Sequence, residues 1–453
     1  MRWVHRDSTK REVEYMNRSP ISKRRPALIR LALLAVLAVL ALAVPAVIRH
    51  LQAPLVLNVK DEGARGDGVT DDTAAFRLVL QKAANHKYGA DILIPAGTYL
   101  LDPEHPLPLR SDVRMAGQGG PVLRFGLPGT DRSGYEALSV MGRRISIEGI
   151  TIDGNYRLIR GIGVHTGSRE IRIRNTVIRQ MSQPDDPGNP LYSAVVSGVM
   201  IYGGTREVTV ENSVISRIQA IHPSPVARGI MVWNNPGAPP AKQVRIAGNR
   251  IFDITPREDA DAIHFDQTAP GAPLSDSIVE HNRISYSAKR GIKIAAPGVL
   301  VRHNRITNPY SGNNRYRFPA SDRIPQDMYA AISVYASDVT VSDNIIDGVG
   351  TFYAAIEADA GTRSLSRIII ENNDIRMSHP DASSKTPADG IGIRLGPTNG
   401  ASVTGNRISG VPTGLFLPSD LAGRAGQFRD NAVTGAETDI RYPAESARSR
   451  GNP

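Results

Sequence analysis

Val208–Ile215, VTVENSVI, returns as Val244–Ile251, VRIAGNRI, then as Ser277–Ile284, SIVEHNRI, and Val299–Ile306, VLVRHNRI. Further copies stand at Ile171–Ile178 (IRIRNTVI), Val339–Ile346 (VTVSDNII), Ile368–Ile375 (IIIENNDI) and Ala401–Ile408 (ASVTGNRI). Apolar and variable residues alternate up to an Asn, and a second short apolar run follows. Alternation at period two marks a half-buried strand, and self-similarity on this scale marks a solenoid. The asparagines Asn175, Asn212, Asn249, Asn282, Asn304, Asn344, Asn373, Asn406 and Asn431 recur every 22 to 40 residues. The shortest interval is one coil of a parallel β-helix and the excess is loop. Asn side chains stacked from coil to coil can hydrogen-bond to each other, so these asparagines are read as structural.

Between these copies lies a second strand of the form Gly or Ala, apolar, variable, apolar, variable: GIGVH from Gly161, GVMIY from Gly198, GIMVW from Gly229, AIHFD from Ala262, GIKIA from Gly291, AISVY from Ala331, AIEAD from Ala355, GIGIR from Gly390 and GLFLP from Gly414. Stacked in register, their variable positions form two outward columns with a rung spacing of about 4.8 Å. The first column reads Gly163, Met200, Met231, His264, Lys293, Ser333, Glu357, Gly392, Phe416. The second reads His165, Tyr202, Trp233, Asp266, Ala295, Tyr335, Asp359, Arg394, Pro418. Ionisable and aromatic residues gather on the middle coils. Long insertions at 181–196, 216–228, 253–260, 309–329 and 378–388, with others at 234–242 and 268–276, predict loops that wall a cleft over this face.

Upstream, GARGDGVTDDTAAFRLVLQKA predicts a helix that caps the open end of the solenoid, with Asp71 or Asp72 at its start and Phe76, Leu78, Val79 and Leu80 packed inward. GADILIPAGTYLL reads as the first strand and turn, and GQGG at 117–120 as a turn rather than a phosphate loop. The expected organisation is a basic tail (1–30), an apolar span (31–48), a linker (49–57), the cap and first coil (58–110), the parallel β-helix (111–442) and a flexible tail (443–453).

The chain has 453 residues and a formal charge of +10, of which residues 1–30 supply +6. The remainder carries only +4, which argues against a phosphate-binding surface and a nucleic-acid partner. Cysteine is absent, so disulfides, thiolate metal sites and Cys nucleophiles are excluded. The run LALLAVLAVLALAVPAVI, residues 31–48, is uncharged and long enough to cross a bilayer. Its basic flank predicts a cytoplasmic N-terminus and an exported β-helix on a single-pass anchor. Ala41 and Ala43 give an A-x-A pattern, but the n-region is too long for an ordinary cleaved signal peptide.

NVKDEGARGDGVTDDTAAF followed by GADILIPAGTYLL resembles the opening of the pectate lyase superfamily, in particular its rhamnogalacturonase and epimerase-like group. The repeats extend the resemblance over about residues 55–442. It implies a right-handed parallel β-helix of all-β class and a carbohydrate-active protein and, taken with the anchor, a bacterial inner-membrane location with the β-helix in the periplasm. It does not fix a reaction, because such proteins include lyases, hydrolases, epimerases and viral adhesins.

Two chemistries can be drawn on the outward face. In a carbanion route, His264 and Lys293 lie one rung apart with Tyr335 one rung beyond, a set suited to removing the proton α to a uronate carboxylate and stabilising the charge that results. DAIHFDQ, with KRGIKI on the next coil, is similar to the site strand of alginate-type C5-epimerases, although the Pro of their Asp-Pro-His-Asp/Glu motif is absent. In a hydrolytic route two carboxylates flank the bond: Glu357 and Asp359, about 7 Å apart along the strand, or Asp266 with Asp259 and Asp261. The polygalacturonase-type motifs of the superfamily are not present intact. The catalytic candidates are thus His264, Lys293, Tyr335, Asp266, Glu357 and Asp359; Tyr202, Trp233, Arg394, Asp261 and Arg290 are expected to bind substrate. No cofactor and no dedicated metal is expected. A lyase or C5-epimerase acting on an acidic glycan is the leading expectation, followed by a glycoside hydrolase of the same fold or a non-catalytic glycan-binding factor in exopolysaccharide assembly.

Overall fold

Period-two alternation places one apolar set inside each strand, and the chain stacks these sets coil upon coil. The computed structural model describes residues 53–222, 226–255, 260–287, 289–307, 330–348, 354–377, 390–421 and 427–441. Among them the strands form three long sheets of 12, 13 and 12 strands, each full coil contributing one strand to each sheet. Sheet 1 holds strands such as Arg206–Glu211 and Lys242–Ala247. Sheet 2 holds those that follow the Asn, such as Val214–Gln219, and sheet 3 holds the Gly/Ala-apolar strands. Neighbours pair in parallel, with Val208 opposite Val244, Ile215 opposite Ile251 and Ile230 opposite Ile263. The result is an all-β parallel solenoid. Its core includes the column Ile162, Val199, Ile230, Ile263, Ile292, Ile332, Ile356, Ile393, each fully buried.

The Asn ladder forms, with one correction. From Asn249 through Asn282, Asn304, Asn344, Asn373 and Asn406 to Asn431, each Nδ2 donates to the next Oδ1 at 2.9–3.0 Å. The backbone N–H of each Asn from Asn249 to Asn406 donates to that same next oxygen. Buried backbone and amide groups at the bend are thereby satisfied. Asn175 and Asn212 stand one position too early to join. They occupy the left-handed turn position (φ 49° each), which Asn tolerates, and Thr176 and Ser213 hold the ladder position in their coils. At later coils that turn position is taken by Gly248, His281, His303, Asp343 or Asn372.

The helix Thr73–Asn85 buries Phe76, Val79 and Leu80 in the core, as expected of a cap. Leu78 is instead exposed, because it lies on the opposite face from Phe76. Asp72 stands at the N-cap, but its carboxylate accepts the amides of Arg65 and Gly66 at 2.7 and 3.1 Å, while Asp71 accepts the Thr73 amide at 2.9 Å. GADILI is not the first strand: Leu55–Asn58 precedes it and pairs Leu55 with Ala90. The apolar span at 31–48, the C-terminal tail and Asp259 lie outside the described residues, as do the insertions at 309–329 and 378–388. Among the described residues no helix is long and apolar enough to cross a membrane.

Candidate active site

Sheet 3 carries the site, and its register decides which side chains meet. The first outward column runs Gly163, Met200, Met231, His264, Lys293, Ser333, Glu357 by direct pairing, as the sequence predicts. Beyond Glu357 the register corrects the reading. Arg394, not Gly392, is opposite Glu357, and Phe416 is opposite Arg394. Arg394 therefore belongs to the first column. A slip of two residues preserves the alternation, so the pattern of GIGIRLG admits both alignments; packing selects the one that puts Gly392 at the small-residue position. A Cβ on Gly392 would lie 2.5 Å from Ile408 Cγ2 and 2.7 Å from the Gly414 oxygen.

A third column, not read from the sequence, precedes the small residue: Arg160, Ser197, Arg228, Asp261, Arg290. All five are buried. The recurring polar residue just before Gly or Ala, as in RGI, SGV, RGI, DAI and RGI, is the sequence signal for it.

Asp261 is the centre of the site. Its carboxylate accepts His264 Nδ1 at 2.8 Å and lies 3.5 Å from both Arg228 and Arg290. An imidazole whose Nδ1 proton is held this way presents Nε2 as the basic nitrogen, and Nε2 lies 3.6 Å from Asp266. Burial opposes the charge on Asp266, but His264 and the amides of Gln267 and Asn234 outweigh it and hold this carboxyl below its ordinary range. On the next coil, Arg290 donates to the Tyr335 hydroxyl at 3.3 Å, and Lys293 Nζ lies 5.7 Å from the Tyr335 ring centre. Tyr335 in turn donates to Glu357 at 3.2 Å. Burial, reinforced by Glu357, pushes the Tyr335 hydroxyl well above its ordinary value, so it stays protonated at neutral pH.

Glu357 is fully buried. One oxygen accepts from Tyr335 and from Ser333 at 3.4 Å; the other has no hydrogen-bond partner. Burial, with Asp359 nearby, pushes its carboxyl up to about 7 against the pull of Arg290 and Arg394. Asp359 pairs with Arg394 at 2.8 Å, in a space that Gly396 leaves open: a Cβ there would lie 2.2 Å from the Asp359 Oδ1. His264, Asp261, Asp266, Arg290, Lys293, Tyr335 and Glu357 thus form one connected group, with Asp359 and Arg394 at its end. Tyr202 and Trp233 do not join it. They lie on earlier coils, ring centres 5.3 Å apart, over an apolar floor of Met200 and Met231. Among the described residues no group of three or more His, Asp or Glu is placed to hold a metal ion.

Residues 56–217 match the family model described as rhamnogalacturonase A/epimerase, pectate lyase-like. The three parallel sheets agree with it. The whole arrangement fits a pectate lyase-like parallel β-helix. Mannuronan C5-epimerase AlgE1 of Azotobacter vinelandii is 38% identical to this β-helix over 149 residues, 28% of this chain and 10% of the relative. The preneck appendage protein of Bacillus phage PZA is 30% identical over 139 residues, again 28% of this chain and 16% of the relative. The match therefore spans about a sixth or less of these relatives. Among solved structures, the surface protein and adhesin PfbA of Streptococcus pneumoniae has a TM-score of 0.56 at 16% identity, covering 85% of this chain and 99% of PfbA. The family 28 exopolygalacturonase of Yersinia enterocolitica has a TM-score of 0.51 at 13% identity, covering 86% and 76%. The family match ends at residue 217, before the His264 group begins.

Proposed function

We propose that this β-helix is a polysaccharide-modifying enzyme that acts on a uronate-containing glycan by elimination or C5-epimerisation. The observation that carries the reading is the Asp261–His264 pair beside Arg290 and Lys293, with the protonated Tyr335 hydroxyl on the following coil. A uronate carboxylate set against Lys293 and Arg290 would have its α-proton acidified. His264 Nε2 takes the C5 proton, and the electron pair moves onto the carboxylate as an enolate. In elimination the pair then forms the C4=C5 bond, the C4–O4 bond breaks and Tyr335 supplies the proton to the leaving oxygen. In epimerisation the pair returns to C5 and Tyr335 delivers a proton to the opposite face. Both routes leave Tyr335 to be reprotonated, and its contacts with Glu357 and Arg290 support that exchange.

A second reading, glycoside hydrolysis, is favoured by one observation: Glu357 holds its proton to about pH 7, as a general acid requires. The similarity to mannuronan C5-epimerases supports the first reading at the level of class.

The apolar run 31–48 behind its basic flank supports a single-pass anchor in a bacterial inner membrane, with the β-helix in the periplasm and a right-handed coil as in the superfamily it resembles. An anchored enzyme would meet a polymer passing through its own envelope.

The test is incubation of the full-length protein in detergent with uronate and neutral polysaccharides. Three signals are followed: the ultraviolet absorbance of unsaturated uronate, new reducing ends, and deuterium uptake at C5. Absorbance or deuterium uptake, lost in His264→Ala, supports the proposal. Reducing ends without either would move the chemistry to Glu357 and the hydrolytic route.

A further inference from the structure

On the coils before the His264 group, a second cluster repeats its chemistry. Glu136 accepts His165 Nε2 at 2.7 Å and lies 3.5 Å from Arg160. Arg160 Nη1 donates to the Tyr202 hydroxyl at 2.5 Å, which lies 3.1 Å from the Tyr135 hydroxyl. The His165 and Tyr202 rings stack at 4.9 Å, and the Arg160 guanidinium lies 4.5 Å from the centre of the Tyr135 ring. Glu136 and Arg160 are each 3% exposed, whereas Tyr135 is 41% exposed and His165 is partly open. A buried, charge-compensated base therefore reaches the surface through imidazole and phenol groups.

The two clusters correspond element by element. In each, a third-column arginine, Arg160 or Arg290, donates to a second-column tyrosine on the next coil, Tyr202 or Tyr335. Each arginine lies 3.5 Å from a carboxylate belonging to the preceding coil, Glu136 or Asp261, and each carboxylate holds a histidine, His165 or His264. The histidines differ by one coil and one column. Along sheet 3, Arg160 and Arg290 are separated by four steps, through Ser197, Arg228 and Asp261. At about 4.8 Å per rung this is roughly 19 Å. Gly163 is part of the arrangement, since a Cβ there would lie 2.0 Å from the Glu136 carboxylate and 3.0 Å from His165 Nε2. The strand omits a side chain where the carboxylate sits.

We infer that Tyr135, Glu136, Arg160, His165 and Tyr202, with Trp233 beside them, form a second carbohydrate-binding centre for the same polymer, its Arg160 four coils before Arg290. This rests on the carbohydrate reading above. Rung spacing is close to the length of one pyranose unit, so an extended chain lying along the solenoid axis passes over both centres. Glu136 and His165 take hydroxyls, and Tyr135 and Trp233 offer flat faces to a ring. Met200 and Met231 floor the path between. Affinity then depends on chain length, rising steeply once a ligand spans the two centres.

Trp233 makes the centre observable, because the only other tryptophan is Trp3. In full-length Trp3→Phe protein, uronate oligosaccharides from disaccharide to octasaccharide are titrated while Trp233 fluorescence and turnover are read together. Long chains are expected to change the fluorescence saturably and to bind better than disaccharides. Tyr202→Phe and Gly163→Ala are expected to raise KM for the octasaccharide about tenfold, the worth of one charge-assisted hydrogen bond. Thermal unfolding of both variants identifies any loss of fold. Turnover without a fluorescence change, and with the same length dependence in the folded variants, overturns the second centre and leaves the proposed function standing. A fluorescence change without turnover supports the centre and counts against the enzyme. Silence in both with every uronate chain overturns both.

Discussion

Asp261 accepts the Nδ1 proton of His264 at 2.8 Å while two arginines, Arg228 and Arg290, stand 3.5 Å from its carboxylate. Strict alternation over Asp261–Phe265 would put Asp261 and His264 on opposite sides of sheet 3, yet their side chains meet.

His264→Ala is expected to lower turnover by about a hundredfold or more, the usual worth of a positioned acid or base. Asp261→Asn keeps an acceptor for Nδ1 and should lose less. Asp261→Ala removes a counter-charge from two buried arginines and should cost about 3–5 kcal/mol of stability as well. Turnover with thermal unfolding on the three variants separates these roles; an unchanged rate in His264→Ala removes it from the mechanism.

Glu357 gives a pH dependence of known sign. Its carboxyl titrates at about 7 when folded against 4.5 ordinarily, so the folded state holds the proton more tightly. Its contribution to stability is complete below about 4.5 and is lost as pH rises through 7. Glu357→Gln cannot lose a proton. The melting temperature of Glu357→Gln relative to the parent should climb between pH 4.5 and pH 7; a flat difference would mean the carboxyl is not held protonated.

Asn304 donates to Asn344 and to the Val279 oxygen, and accepts from Asn282. Asn304→Ala leaves several buried groups unpaired and should cost about 2–3 kcal/mol. Asn431 ends the ladder and is less buried, so Asn431→Ala should cost about 1 kcal/mol. Urea unfolding of both reads the difference, and equal costs would argue that the ladder does not act as a buried network.

Gly229 has no room for a side chain: a Cβ would lie 2.4 Å from the Ala262 oxygen and 2.8 Å from Ile251 Cγ2. Gly229→Ala should destabilise by about 1–3 kcal/mol and displace Arg228 from Asp261. A variant as stable as the parent would show that the coils can spread at this point.

The solenoid was legible in the order of residues alone. Period-two alternation and the recurrence of Asn and of Gly/Ala-apolar strands follow from local sterics and from the need of each coil to bury one face on the next. That order also located the outward column through His264, Lys293, Ser333 and Glu357, because those coils share one motif. The remaining features came from packing between coils. Arg394 moved beside Glu357, since a two-residue slip leaves alternation intact and only the crowding at Gly392 selects the register. Asn175 and Asn212 became turn residues, since one position separates a left-handed bend from the ladder. Asp261 meets His264 against strict alternation, and Glu136 meets His165 and Arg160 across coils, contacts that no local pattern encodes. Loops set the sequence distance between coils at anything from 22 to 40 residues, so no linear spacing encodes which side chains meet.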